Sequence, residues 1–462
     1  MSQSYSLSIS GVHYKELQNH LFPGDGCEAV AVAICGRKKV GNETKLLVHE
    51  LIPIPYSECY ERRPDVVKWS TKIIIPHLEK ASKKGLAILK IHCHPTGYSS
   101  FSEVDDESDL DLFDSVYGWM DNDKPHASAI MLNDGSIFGR IFKPDLTHQP
   151  LDKVSVIGDD LKFWYYENFQ RVKEFERRTA QAFGEGTTGI LNKLKIGVVG
   201  CSGTGSPVIE QLVRLGVGHL VLVDPDKVEE KNLNRIINST MQDAKSGLFK
   251  VDVLKNAINR IGLDTKVTAF NENLYDDKRI VDELATCDAL FGCVDSVDGR
   301  HLLNHIATFY LVSYFDLGIK LISDGKGGID QILGSIHYLQ PGGSSLRTRG
   351  VYNEEELRAA SLFRIDQSEY KEQKKSGYIV DVQVDSPAVI SINSQIASMA
   401  VNEFLARLHP FRYDPNKNFS VTRVSFTDSY VQHEGDREAD SYLKKYVGRG
   451  EMNPMLNMTE LG

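Results

Sequence analysis

Lys195-Ile196-Gly197-Val198-Val199-Gly200-Cys201-Ser202-Gly203-Thr204-Gly205-Ser206-Pro207 runs an apolar strand into a glycine-rich turn, then into a helix whose first turn suits proline. Glycines let the main chain approach phosphate groups closely, and the free N–H groups opening the helix carry the positive end of its dipole. Asp224 follows Gly205 by nineteen residues at the end of a second strand, Leu220 to Asp224, where a carboxylate can accept ribose hydroxyls. By itself this pattern describes a nucleotide loop and fits hydride transfer on NAD as well as ATP chemistry.

Working outward, helices are expected over Ser206 to Leu215 and Lys250 to Arg260, so that strand and helix alternate in a doubly wound parallel α/β sheet. The flanking residues choose between the chemistries. Val223-Asp224-Pro225-Asp226-Lys227-Val228-Glu229-Glu230-Lys231-Asn232-Leu233-Asn234-Arg235 resembles the D-x-D and N-L-x-R stretch of the ThiF/MoeB and ubiquitin-activating enzymes. Lys250 matches that family's lysine on the next helix, and Cys293-Val294-Asp295-Ser296 through Arg300 resembles its C-x-D-x-x-x-x-R segment. The likeness spans about residues 165 to 410, with the family's glutamine after the arginine replaced by Ile236.

Adenylation needs cations to neutralise a triphosphate and a carboxylate to hold Mg2+ as pyrophosphate leaves. Arg235 and Lys250 suit the first need and Asp295 the second. The resemblance implies an ATP site made of Gly200, Gly203, Gly205, Asp224, Asp226, Asn232, Arg235, Lys250 and Asp295. It further implies a homodimer in which an arginine of the preceding helical arm, Arg178 with Arg177 beside it, reaches the partner's ATP.

Two features of that family are missing. No cysteine follows Cys293, so the usual thioester-forming residue of the crossover loop has no counterpart. Where relatives carry paired Cys-x-x-Cys zinc motifs, this chain reads Gln340-Pro341-Gly342-Gly343-Ser344-Ser345-Leu346-Arg347-Thr348-Arg349. The adenylate then passes directly to a partner, or a hydroxyl of Ser344, Ser345 or Thr348 takes an oxyester, or a partner supplies the thiol. Direct transfer is favoured, because a hydroxyl nucleophile needs an activating base and no histidine stands beside these serines.

The first third of the chain carries other chemistry. Glu28 to Cys35 and Lys45 to Pro53 read as strands, Lys72 to Lys83 as a helix and Leu86 to His92 as a strand. Ala127 to Leu132 and Ser136 to Phe142 flank an Asn133-Asp134-Gly135 turn, a hairpin signal. Within this unit stands His92-Cys93-His94-Pro95, followed after Thr96 to Phe101 by Ser102-Glu103-Val104-Asp105. Histidines at alternate strand positions put both rings on one face, and an aspartate eleven residues on can return as a third ligand. Two imidazoles and a carboxylate suit zinc, with the fourth position open as catalysis requires.

The pair of histidines alone is a weak signal, but the whole string resembles the JAMM motif of the MPN/JAB metalloproteases at every defined position and spacing. This implies that His92, His94 and Asp105 bind Zn2+, that Ser102 assists the oxyanion, and that Glu28, standing before the apolar run Ala29 to Ile34, is the general base. The likeness covers about residues 5 to 145 and implies hydrolysis of an amide or isopeptide bond after the C-terminus of a ubiquitin-like protein.

A length of 462 residues calls for at least two cores. The expected organisation is a JAMM/MPN domain over 1–145, a linker and helical arm over 146–190, a Rossmann-like ThiF/MoeB-type domain over 191–410, and an extension over 411–462 with no assignable pattern. No apolar run approaches the roughly 20 residues of a membrane span, and Met1 to Ser10 lacks the signature of a secretion signal, so a cytoplasmic protein is expected. Seven scattered cysteines fit reduced thiols. A net charge of −10 disfavours nucleic acid, and the Lys371 to Lys375 cluster reads as a solvated face.

The reading is a bifunctional enzyme of a bacterial ubiquitin-like protein pathway, acting on a protein with a C-terminal glycine and handing it to a partner resembling a conjugating enzyme. Such fusions resemble proteins of bacterial conjugation operons, some linked to antiphage defence. The alternatives are sulfur-carrier activation in cofactor or cysteine synthesis, and a non-catalytic adaptor.

Overall fold

A computed structural model describes residues 3–461 apart from 121, 325, 327 and 377–387. It divides into two compact units, the first of residues 1–168, 309–311 and 446–457, the second of the remainder.

The first unit contains β1 (Ser4–Ser10), α1 (Gly11–Leu21), β2 (Val30–Val40), β3 (Glu43–Pro53), β4 (Cys59–Arg63), β5 (Val66–Trp69), α2 (Ile75–Lys84), β6 (Ala87–His94), α3 (Glu103–Trp119), β7 (His126–Leu132), β8 (Ile137–Phe142), β9 (His148–Pro150), β10 (Lys153–Ile157) and β11 (Leu161–Tyr165). Its nine-stranded sheet has the order β11-β10-β1-β3-β2-β6-β7-β8-β9, and β4 with β5 makes a separate hairpin. The unbroken apolar run at 29–35 follows from burial on both faces. Ala31, Ala33 and Cys35 join Leu17 and Leu21 of α1 in one core, while Val30, Val32 and Ile34 join Leu78 of α2 and Phe113 of α3 in another. On β6, Leu89, Ile91 and Cys93 enter the α1 core and Ile88 the other. Strand alternation then turns Lys90, His92 and His94 toward the α3 side.

Two segments differ from the sequence reading. Part of the stretch expected to be linker, from residue 148 to 165, forms β9, β10 and β11, with β10 pairing in parallel with β1. Pro150 ends β9 and Asp152, Asp159 and Asp160 lie at the short turns that follow, a composition that cannot be told locally from a linker. Within the unassigned C-terminal extension, residues 446–457 belong to the first unit. There Glu451 N donates to Arg37 O at 2.9 Å and Val447 O meets His49 Nδ1 at 2.7 Å.

The second unit contains α4 (Arg177–Lys193), β12 (Lys195–Val199), α5 (Gly205–Arg214), β13 (His219–Val223), α6 (Met241–Lys245), α7 (Lys250–Ile261), β14 (Lys266–Phe270), α8 (Lys278–Ala285), β15 (Ala289–Gly292), α9 (Val297–Tyr310, apart from its last two residues), β16 (Ser313–Ser323), β17 (Ile329–Leu339), α10 (Glu354–Ile365), α11 (Gln367–Lys375), α12 (Ile390–Leu408), β18 (Val421–Ser425) and β19 (Tyr430–Glu434). The sheet order is β14-β13-β12-β15-β16-β17-β18-β19, the first five strands parallel and the rest antiparallel. The doubly wound expectation describes the parallel part. The antiparallel part draws on the extension, since β18 and β19 lie beyond residue 410. The order reverses between β12 and β15, which creates a crevice at their carboxyl ends. Gly200 leaves β12 there, and a Cβ added to it would stand 2.5 Å from Cys293 O at the end of β15.

Candidate functional site

His92 and His94 project from β6 beside the start of α3. Their Nε2 atoms lie 3.1 Å apart. His92 Nε2 is 2.9 Å from Asp105 Oδ1, and His94 Nε2 is 3.4 Å from Asp105 Oδ2. A tetrahedral metal with bonds of about 2.0–2.1 Å holds nitrogen donors about 3.3 Å apart, so the spacing fits a zinc-sized ion. The Tyr98 carbonyl lies 2.7 Å from His94 Nδ1, which favours a proton there and leaves Nε2 with its lone pair toward the cluster. His92 Nδ1 is buried without a hydrogen-bond partner among the described residues.

Glu28, just before β2, places Oε1 3.8 Å from His94 Nε2. Glu28, His92 and His94 also form a buried donor group whose atoms lie within 4.8 Å of one another. Two carboxylates therefore compete for the third ligand position. Asp105 approaches the two rings more closely and is the better candidate. Burial pushes the Glu28 carboxyl up to about 8 despite the opposing charge of His94. For Asp105, burial acts upward but hydrogen bonds with His92 and His94 outweigh it, holding the carboxyl well below the usual range.

Ser102 and Asp105 also form a reciprocal cap on α3. Asp105 N donates to Ser102 Oγ at 3.2 Å, and Ser102 N and Oγ both donate to Asp105 Oδ2 at 2.7 Å. The spacing that brings a serine and the candidate ligand together is thus also a helix-start signal. Sequence reasoning missed the support beneath Glu28: Arg62 Nε donates to Glu28 O at 3.0 Å, and Glu28 N donates to Arg63 O at 2.9 Å. No motif marks Arg62; only the pairing of β4 with β5 brings it there.

In the second unit, Gly200 adopts φ +90°, and a Cβ on Gly205 would stand 1.8 Å from Gly200 O, so the loop requires both glycines. Asp224 holds the loop, its carboxylate accepting Cys201 N–H at 2.7 Å and Asp226 N–H at 2.9 Å. Burial raises the Asp224 carboxyl above its ordinary value although Lys250 opposes it. Lys250 is buried and paired, 2.7 Å from Asp226 and 3.4 Å from Asp224. Burial would lower its ammonium, but the two aspartates outweigh that and raise it. The lysine expected to neutralise phosphate is thus already paired, and would exchange partners to meet one.

Asn232 is buried, its Oδ1 accepting Glu229 N–H at 3.0 Å. Arg235 Nη1 donates to Lys231 O at 2.9 Å and Asn234 Oδ1 at 3.1 Å, with no ion pair among the described residues. Its Cδ lies 3.1 Å from where a Gly203 Cβ would stand. Asp295 is exposed just beyond β15, with Arg300 a charged neighbour. The arrangement fits a polyphosphate, with an open carboxylate for Mg2+. Arg178 is exposed on α4 and donates to Gln181 Oε1 at 3.3 Å; Arg177 pairs with Glu174 at 3.0 Å. Ser344 and Ser345 are buried and bonded to Asp436 and Asp440, and Arg349 Nε donates to Ser344 Oγ at 2.7 Å. That burial argues against either serine as an acyl acceptor.

Among the described residues no helix is long and apolar enough to cross a membrane. Ubiquitin-like modifier-activating enzyme 5 of Culex quinquefasciatus is 28% identical over 163 residues, 33% of this chain and 38% of that protein. The enzyme of the same name from Bombyx mori is 29% identical over 165 residues, 34% of this chain and 39% of that one. The chain thus spans about two fifths of the length of these relatives. A solved structure of E. coli MccB with MccA-N7isoASN superposes with a TM-score of 0.45 at 15% identity, covering 58% of this chain and 74% of that one. Residues 175–437 match the ThiF family, and on that match, which takes in more than half of the sequence, the chain belongs to the ThiF family.

Proposed function

We propose that the chain is a bifunctional enzyme of a ubiquitin-like protein pathway, pairing ATP-dependent adenylation of a C-terminal glycine with zinc-dependent hydrolysis of the bond formed at such a C-terminus. Membership of the ThiF family and the match to modifier-activating enzymes support the first activity. The observation that carries the second is the convergence of His92 Nε2, His94 Nε2 and the Asp105 carboxylate within 2.9 to 3.4 Å, with Glu28 alongside.

For adenylation, the substrate carboxylate attacks the α-phosphorus of ATP and pyrophosphate departs. Arg235 and Lys250 balance the charge of the phosphate chain, Gly200 to Gly205 cradle it, and Asp295 is the carboxylate for Mg2+. Asp224 fixes the loop from below, and Asp226 hands Lys250 over as phosphates enter. Asn232 keeps the Glu229 turn in shape, and Arg178 is the candidate to serve a second subunit's site. With no cysteine after Cys293, Ser344 and Ser345 buried, and the exposed Thr348 engaged in its own turn, its hydroxyl donating to Ser345 O at 3.1 Å and accepting Ser345 N–H at 2.9 Å, the adenylate passes to an acceptor on a partner protein.

For hydrolysis, His92, His94 and Asp105 would hold Zn2+, which supplies Lewis acidity toward the scissile carbonyl. Glu28 takes the proton from the attacking water and delivers it to the leaving amine. Ser102 turns its hydroxyl from Asp105 to the developing oxyanion.

The test is ATP–pyrophosphate exchange with and without a small ubiquitin-like protein ending in glycine, alongside Asp295→Ala. Exchange that needs both that protein and Asp295 is expected; none with mature or precursor carrier overturns the adenylation half. Zinc analysis and cleavage of a carrier fused through its C-terminal glycine test the other half. Glu28→Gln is expected to abolish cleavage with zinc retained, and a metal-free wild type overturns it.

A further inference from the structure

Asn393 lies in the first turn of α12, on the side facing the nucleotide loop. Its side chain is 8% exposed, and its Oδ1 has no hydrogen-bond partner among the described residues. A Cβ placed on Gly203 would stand 2.8 Å from Asn393 Nδ2 and 3.1 Å from Arg235 Cδ. One face of the loop glycine is therefore covered by a carboxamide and by the stem of Arg235, which has no ion pair among the described residues. A buried amide with an unmet acceptor is costly, and asparagine is a poor helix former.

The surroundings favour an anion. Helix α12 opens at Val389 without a side-chain cap, so its first turn presents N–H groups and the positive end of a dipole. Helix α5 opens at Gly205 directly after the same loop. Two helix starts and Arg235 thus meet where Gly203 has no side chain.

We infer that Asn393 is a further contact of the nucleotide site, its carboxamide hydrogen-bonding the phosphate chain of ATP over Gly203 beside Arg235. This rests on the adenylation reading. A phosphate oxygen takes the Nδ2 donor, and Arg235, drawn to the same phosphates, supplies a proton donor for Oδ1. The amide both touches the ligand and orients the guanidinium.

The test is calorimetric titration of the full chain with MgATP and separately with adenosine, for wild type, Asn393→Leu and Asn393→Asp, with thermal melting as a check on folding. Leucine keeps the volume and removes both hydrogen bonds, so ATP affinity is expected to fall about tenfold with adenosine binding unchanged. Aspartate keeps the shape and adds a charge facing the phosphates, so ATP affinity is expected to fall further. A helix-packing role predicts the reverse order, because a carboxylate is welcome in a first helical turn. ATP binding equal to wild type in both variants, or an equal loss toward adenosine, overturns the inference and leaves the adenylation reading intact. A wild type that binds no ATP overturns both.

Discussion

Arg62 supports Glu28 through the main chain: its Nε donates to Glu28 O at 3.0 Å while its Nη1 meets Asp25 at 3.0 Å and its guanidinium lies 4.2 Å from the Tyr56 ring. Asp25 and Tyr56 anchor the guanidinium, and it holds the backbone of the candidate base. Arg62→Ala is expected to lower kcat for hydrolysis about 10- to 100-fold, as loss of supporting contacts does at metal sites. KM and zinc content should stay close to wild type, and Arg62→Lys, which keeps one donor, should recover part of the rate. Loss of zinc in Arg62→Ala would mean that the residue supports the fold instead.

Asp105 and Ser102 allow ligation to be separated from capping. Asp105→Asn keeps an acceptor for the cap and removes the charge, so bound zinc should be lost with little change in Tm. Ser102→Ala removes the cap and should cost about 1 kcal/mol of stability, with zinc retained. Elemental analysis and thermal melting read the two effects independently.

Lys250→Met leaves the Asp224 carboxylate buried without its cation. Losing one partner of a buried pair costs about 3–5 kcal/mol, and Asp224 is the buried side here. Destabilisation of the second unit's transition in urea and weaker ATP binding are expected together. Asp226→Asn should leave stability nearly unchanged, because that carboxylate is largely exposed.

A Cβ on Gly36 would stand 2.2 Å from Gly448 O and 2.4 Å from Arg449 O, both main-chain atoms with no room to yield. Gly36→Ala is expected to destabilise the first unit by about 1–3 kcal/mol. Hydrogen exchange at Glu451 N–H, which donates to Arg37 O, should accelerate in parallel.

How much was legible depended on how local the signal was. The strand and helix around Gly200 to Gly205 and the hairpin at Asn133 to Gly135 announce themselves through residues adjacent in sequence, and the structure has β12 and α5, and β7 and β8, there. His92, His94, Ser102 and Asp105 fall within one short stretch, so their gathering was expected from spacing. Strands β10 and β18 were missed because the strands that seat them in their sheets lie far away, β1 and β17, whereas β19 pairs with its neighbour β18 but is mostly exposed and so carries no alternation of apolar residues. The pairing of Lys250 with Asp226 was also invisible, since a motif gives residue identities but not which charges have already met. Arg62 and Asn393 reach their positions only through tertiary folding, and no single-sequence pattern marks either.

The cap shared by Ser102 and Asp105 bears on how this fold could shed an activity. A drifting sequence that replaced Asp105 by an aliphatic residue would lose both the proposed metal donor and the cap of α3, and would be less well folded as well as stripped of the proposed chemistry. Asparagine escapes that penalty, so an inactive descendant that stays well folded should carry Asn at this position more often than a residue chosen at random. Ser102 to Asp105 are constrained twice, once by the proposed chemistry and once by the helix start, and mutation meets the second constraint even after selection on the first has lapsed.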